Sequence, residues 1–377
     1  MIETLVLQLD ENFGVFLNAF YILLFAILIF YGQRIQFHLS MMEMGGILKQ
    51  LQFMANHARK ISRDELAKFT DDPSLDEKID RLINSFVIFP ESMDPAGIVK
   101  KIEHIMDVRE AKFLDDVRRM LTKDIEEAKL RNYSNMLEAT LVLNLIYKII
   151  EHYYLLAKKT KNFFLMAQLQ MIVPLIFNEA KSYILAIEAF RLGTPIGDTI
   201  GPYVVHKLIN DEKSKLIEHK PEYVKDTDIY VIERGERKIY VVKARGPGGN
   251  VGKPGEAIKK LLSSLKKGKK TVAGIIMIDA ALKLEGEKTG TVSEGIGAAI
   301  GGIGVEKFKI EEIATKYSTP IYAIIIKQSI AEAISTMKKE IADSTLEVIR
   351  RIDRLLDKEL DEGEVIVAGI GNTIGVP

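Results

Sequence analysis

Two aspartates stand where a carboxylate can do chemistry. Asp279 closes the apolar run AGIIMIDA, residues 273–280. A carboxylate at the carboxyl end of a buried strand is rarely placed there for packing, because burying an unpaired charge is costly. Asp198 lies in PIGDTIGP, residues 195–202, just before an apolar helix start. It suits an N-cap as well as a catalytic group, and the two roles can coexist. Set around one water, such a pair divides labour. One ionised group acts as base, and the other, protonated, polarises a scissile carbonyl, provided the surroundings push the two pKa values apart.

Glycine-rich loops accompany both aspartates. They read GTPIGDTIGPYVV (193–205), ARGPGGNVGKPGEA (244–257), EGIGAAIGGIG (294–304) and AGIGNTIGVP (368–377). Glycine permits positive φ and lets backbone N–H groups approach a ligand. The candidate ligand-binding residues are Gly197, Gly248, Gly249, Lys253, Gly297, Gly301, Gly371 and Asn372. GPGGNVGKPG holds Gly-Lys without the Ser or Thr of a Walker loop, and no dinucleotide fingerprint is present.

The elements that must position these residues fall into three parts. Residues 1–34 hold an N-terminal segment and an apolar helix; residues 35–192 read as an all-helical domain, broken near Pro73, Pro90 and Pro95. From 193 to 377 short apolar runs (DIYVIE, KIYVVKA, TVAGIIMIDA, PIYAIIIK, EVIVAGI) alternate with amphipathic helices, including a long one at about 329–360. That alternation predicts a three-layer α/β domain with a mostly parallel sheet. In such a sheet the loops at the carboxyl ends of strands gather around one crevice. Residues 364–370 are predicted to be an interior parallel strand, next to the one that carries Asp279 or one strand away from it.

Composition narrows the function. Lys plus Arg equals Asp plus Glu at 52 each, so no charge field points to nucleic acid. There is no cysteine, and His38, His57, His104, His152, His206 and His219 are never three or four apart. No metal site or cofactor is expected. Residues 13–31, FGVFLNAFYILLFAILIFY, carry no charge and are long enough to cross a bilayer. Glu3, Asp10 and Glu11 precede them, and Arg34, Lys49, Arg59 and Lys60 follow. A single-pass anchor in the cell membrane, with the bulk of the chain cytoplasmic, is therefore expected. FFLMAQLQMIVPLIF, residues 163–177, is short and holds Gln168, Gln170 and Pro174, so it reads as a buried bundle helix.

TPIGDTIGPYVV, GPGGNVGKPGEAIKKLL, IIMIDAALKL and EGIGAAIGGIG, in that order, resemble the spore germination protease and the hydrogenase maturation proteases. The resemblance implies a phosphorylase/hydrolase-like fold and assigns the functional pair to Asp198 and Asp279. In that family a strand ending GIGN opens the domain, whereas here VAGIGN comes last, which implies a circular permutation. The nickel-binding members carry an acidic residue after the first aspartate; Thr199 stands there in this chain, and their metal-ligating histidine has no counterpart. The whole chain also resembles an archaeal family defined by a domain of unknown function.

These readings give a membrane-anchored, cytoplasm-facing hydrolase, most directly a peptidase, with Asp198 and Asp279 catalytic. The alternative is a non-catalytic, membrane-tethered ligand-binding or scaffolding protein forming homo-oligomers. In that case Lys253 or Arg245 would serve as countercharge to a bound anion. Lys283, Glu285 and Glu294 are close enough in sequence to tune Asp279, or are solvated surface charges. The partners expected are membrane lipid along residues 13–31, a second copy, and a peptide or small-molecule ligand.

Overall fold

The computed structural model describes residues 2–90, 97–302 and 304–377; the side chains of residues 2–14 and 28–30 lie outside the description. The break expected at Pro95 and parts of the expected span at 13–31 therefore fall outside it. The chain divides into two compact units, residues 1–53 with 145–177 and residues 54–144 with 178–377.

The helical elements are α1 (Ile2–Leu66), α2 (Leu75–Ile83), α3 (Ile98–Met120), α4 (Glu127–Thr160) and α5 (Phe163–Leu192). In the first unit, α4 and α5 form a hairpin beside α1. The Tyr154 hydroxyl donates to the Met41 carbonyl at 3.4 Å, and Ser40 Oγ donates to Gln170 Oε1 at 2.8 Å. Gln170 Nε2 donates in turn to Glu43 at 2.8 Å. The reading of residues 163–177 as a buried bundle helix is corrected here. Only 22% of the most apolar stretch of α5 is buried, and Phe164, Met171, Ile172 and Leu175 are exposed. By length and composition α5 could cross a membrane; α1 qualifies only if its segments Val15–Ile27 and Tyr31–Leu66, bent by 51°, are joined as one span.

The second unit contains the α/β domain. After a short 3-10 turn (Gly197–Thr199) come α6 (Ile200–Ile209), β1 (Ser214–Val224), β2 (Thr227–Arg234), β3 (Arg237–Ala244) and α7 (Pro254–Lys267). There follow β4 (Val272–Leu282), β5 (Val292–Ile296), α8 (Val305–Lys316) and β6 (Ile321–Gln328). Three helices, α9 (Ile330–Ile334), α10 (Lys339–Asp343) and α11 (Thr345–Lys358), then lead to β7 (Glu364–Gly369). One seven-stranded sheet has the order β1-β2-β3-β7-β4-β6-β5. Helices α6 and α11 pack on one face and α7 and α8 on the other.

The sheet is mixed, which corrects the expectation of a mostly parallel one. Only β3–β7, β7–β4 and β4–β6 are parallel. β1–β2, β2–β3 and β5–β6 are antiparallel. The turns explain it. Gly235, at φ 62°, and Glu236 join β2 to β3, and so short a loop can connect only antiparallel neighbours. β7 is interior and parallel, as its unbroken apolar run predicted: Ile278 lies opposite Gly369. The single long helix expected at 329–360 is instead three. Ser335 and Thr336 are extended, and Thr336 bridges Ile196.

Candidate functional site

Asp279 is carried by β4, which is buried from Val272 through Asp279. Asp279 is 6% exposed, and its carboxylate accepts the N–H of Ala280 at 2.7 Å, with the Gly301 N–H near enough to favour its ionised form. Burial, and after it the Asp198 charge, push the Asp279 carboxyl well above its ordinary value of 3.8, against the pull of those two N–H groups. So much apolar wall around a carboxylate favours its neutral form.

Asp198 is delivered from the other side. Its loop is pinned by backbone bonds from Gly197 N–H to the Ser335 carbonyl at 3.0 Å and from Met337 N–H to the Pro195 carbonyl at 2.8 Å. The break between α9 and α10 thus supplies the partner for this loop. The cap reading of Asp198 is not realised. α6 is capped by Thr199 without a side-chain bond, and Asp198 Oδ2 instead accepts the N–H of Asn372 at 2.9 Å. Burial raises the Asp198 pKa and the Asn372 N–H draws it back, the net shift being upward.

Two glycines make the approach possible. A side chain on Gly201 would strike the carbonyls of Ile370 and Ile278, so only glycine lets α6 sit on the ends of β7 and β4. Gly371 has φ 128°, and its Cα lies against the Asp198 carbonyl; a side chain there would be both strained and blocked. The Ile370 N–H donates to Ile278 at 2.8 Å, which ties the 370–372 turn to the strand carrying Asp279.

The structure therefore brings Asp198, Asp279, Gly197, Gly301, Gly371 and Asn372 together and leaves the other candidates elsewhere. Lys253 Nζ donates to Asp107 of α3 at 2.5 Å. The Gly249 N–H donates to Asn132 of α4 at 2.8 Å, and a side chain on Gly248 would strike Ala128. Those residues clamp the 244–253 loop onto α3 and α4. Gly297 bonds Ile321 at the amino end of β6, away from the Asp279 level. Arg245 pairs with Asp228 and Glu222, Lys283 bonds Thr289, and Glu294 pairs with Arg351 and Arg354.

Two polar groups at the same end of the sheet went unread in the sequence. Gln328, 1% exposed, ends β6 beside Gly197, and neither of its amide atoms has a hydrogen-bond partner among the described residues. Lys243, 1% exposed, lies opposite Gly369 in register and donates to the Pro377 carbonyl. Burial brings its ammonium down to about 8 despite nearby Asp228. The signal for each was a polar residue at the end of an apolar run, the same signal that marked Asp279. Among the described residues no three His, Cys, Asp or Glu side chains gather as metal ligands would.

Comparison with known proteins places the chain in a family. A proteasome-assembly chaperone homologue from Mycobacterium tuberculosis aligns over 45% of this chain and 83% of its own, at 14% identity and a TM-score of 0.29. A PAC2 family protein from Streptomyces avermitilis aligns over the same shares at 14% identity and a TM-score of 0.30. No curated protein matches the sequence. Residues 18–193 match the model described as "Protein of unknown function (DUF1512) N-terminal domain", and residues 196–377 match "Domain of unknown function (DUF1512) C-terminal". With both halves of that family matched in order along its length, the chain belongs to the DUF1512 family.

Proposed function

We propose that the protein is a membrane-anchored hydrolase, a peptidase in its simplest form, working through Asp198 and Asp279 on the cytoplasmic side. The carrying observation is the pair itself: two carboxylates in one buried site, each held above its ordinary range, the second raised further by the first. Like charges so placed share a proton. Asp279, the more strongly raised, holds it; Asp198, supported by the Asn372 N–H, is the base. Asp198 takes a proton from water as its oxygen adds to the scissile carbonyl carbon, and Asp279 gives its proton to the carbonyl oxygen. The diol then collapses: Asp279 regains a proton from it, and Asp198 gives the one it holds to the leaving amine. Both groups return to their starting states. The resemblance to the germination and maturation proteases supports the same two residues.

The anchor is α1. Val15, Phe16, Ile22 and Phe25 are exposed, acidic residues precede the apolar stretch and basic ones follow it. α5 is less suited to the role, because Glu179, Lys181, Glu188 and Arg191 crowd its second half.

The test is proteolysis of a mixture of unfolded proteins by the purified full-length chain in isotope-labelled water, read by mass spectrometry as labelled new carboxyl termini. Asp198→Asn and Asp279→Asn should each lower the rate by on the order of a hundredfold or more. Termini formed equally by wild type and variants, or by none, would overturn the hydrolase reading.

A further inference from the structure

The α4–α5 turn reads KKTKNFF, residues 158–164. Lys158, Lys159 and Lys161 are exposed, and none has a carboxylate partner among the described residues. Tyr153 and Phe164 stand exposed beside them. Lys158 and Lys159 lie in the last turn of α4, where a cation suits the helix C-terminus, but Lys161 follows the end of the helix and three ammonium groups so close together repel one another.

Their level along α1 says what they face. α4 runs antiparallel to α1 with Tyr154 at Met41, and α5 runs alongside with Gln170 at Ser40. At about 1.5 Å per residue, the turn lies roughly 9 Å beyond Tyr154, and Arg34 lies roughly 9 Å before Ser40. The turn and Arg34 therefore share one level. The Arg34 guanidinium sits over the Tyr31 ring, 5.8 Å from its centre. Immediately before it the uncharged stretch 13–31 ends. Four cations thus stand at one level, with exposed aromatic side chains near them, where the apolar part of α1 gives way to the charged part. Aromatic and basic residues at such a boundary suit lipid headgroups.

We infer that Arg34, Lys158, Lys159 and Lys161 form a basic collar that docks the first unit on an anionic lipid surface around α1. The inference rests on α1 being the anchor. The chain's lack of cysteine makes a direct test available. The full-length protein carrying Thr160→Cys, labelled there with an environment-sensitive dye, is reconstituted into vesicles of phosphatidylcholine alone or mixed with phosphatidylglycerol. The dye should be shielded from an aqueous quencher only in the acidic vesicles, and molar salt should release it, since the screening length then falls to about 3 Å. Lys158→Gln, Lys159→Gln and Lys161→Gln together should lower the ratio of docked to undocked turn by on the order of a hundredfold, each lysine near such a surface counting about fivefold. Equal shielding in both vesicles, equal exposure in both, or a triple variant behaving like the parent would overturn the collar while leaving the anchor. A protein that fails to enter vesicles at all would overturn the anchor and the collar with it.

Discussion

Protonation of Asp279 ties the candidate site to the stability of its domain. A carboxyl whose folded pKa is raised holds its proton more tightly folded than unfolded. Its contribution is therefore fully present below 3.8, its ordinary value, and is lost as pH rises toward the raised folded value. Asparagine has the same shape and cannot ionise, and its side-chain oxygen still accepts an N–H. Asp279→Asn should thus unfold at higher urea than wild type at neutral pH, with the gap closing below pH 3.8. Urea midpoints of the detergent-solubilised protein at the two pH values measure this. A variant less stable than wild type at neutral pH would mean that an ionised, well-solvated Asp279 is what the fold holds. Gain of stability with loss of hydrolysis is the expected mark of a strained functional group. The sequence marked Asp279 because a charge ended an apolar run. It gave no reason to prefer Asn372 over Lys253 as a member of the site, since both sit in glycine loops. Only the partners decide: Asn372 reaches Asp198, and Lys253 reaches Asp107 on a helix far away in sequence.

At the scale of elements, β7 joins the two halves of the sheet. It lies between β3 and β4, and its Ile366 is fully buried against α7 and α8. Ile366→Ala should cost about 2–5 kcal/mol through lost contacts and the cavity left behind. Ile296, on the edge strand β5, is 90% exposed, and Ile296→Ala should change stability by no more than about 0.5 kcal/mol. Chemical denaturation of the two variants checks both, and equal effects would contradict an interior β7. The apolar runs revealed β2, β3, β4, β6 and β7 because strands buried on both faces read as continuous apolar sequence. β1 and β5 were missed for the opposite reason. β1, SKLIEHKPEYV, is an exposed edge strand rich in charge with Pro221 inside it, as edge strands that avoid aggregation are. β5 is five residues long and crosses a glycine. The break after α9 was also missed. Nothing local distinguishes it from continuous helix, and its cause is tertiary, the pairing of Thr336 with Ile196.

At the scale of the molecule, the charges flanking residues 13–31 and the position of the carboxylate pair make one joint demand. If the proposed hydrolysis acts on cytoplasmic substrates, the α/β domain must lie on the side that carries Arg34 and Lys49. The sequence supports this through the positive-inside rule, which counts basic residues near the end of a span. A chain without cysteine permits a clean measurement by single substitutions. Glu236, exposed in the turn between β2 and β3, reports on the α/β domain, and Glu3 reports on the segment before residues 13–31. In intact cells, Glu236→Cys should resist a membrane-impermeant maleimide and react only after lysis, whereas Glu3→Cys should react from outside. Reaction of both from outside would place the bulk of the protein beyond the membrane, and reaction of neither would leave residues 13–31 uncrossed. Reversed labelling would be the most informative failure. It would set the basic residues after the span against the outer surface, contrary to the rule that predicts their side, and would move both the carboxylate pair and its substrate outside the cell.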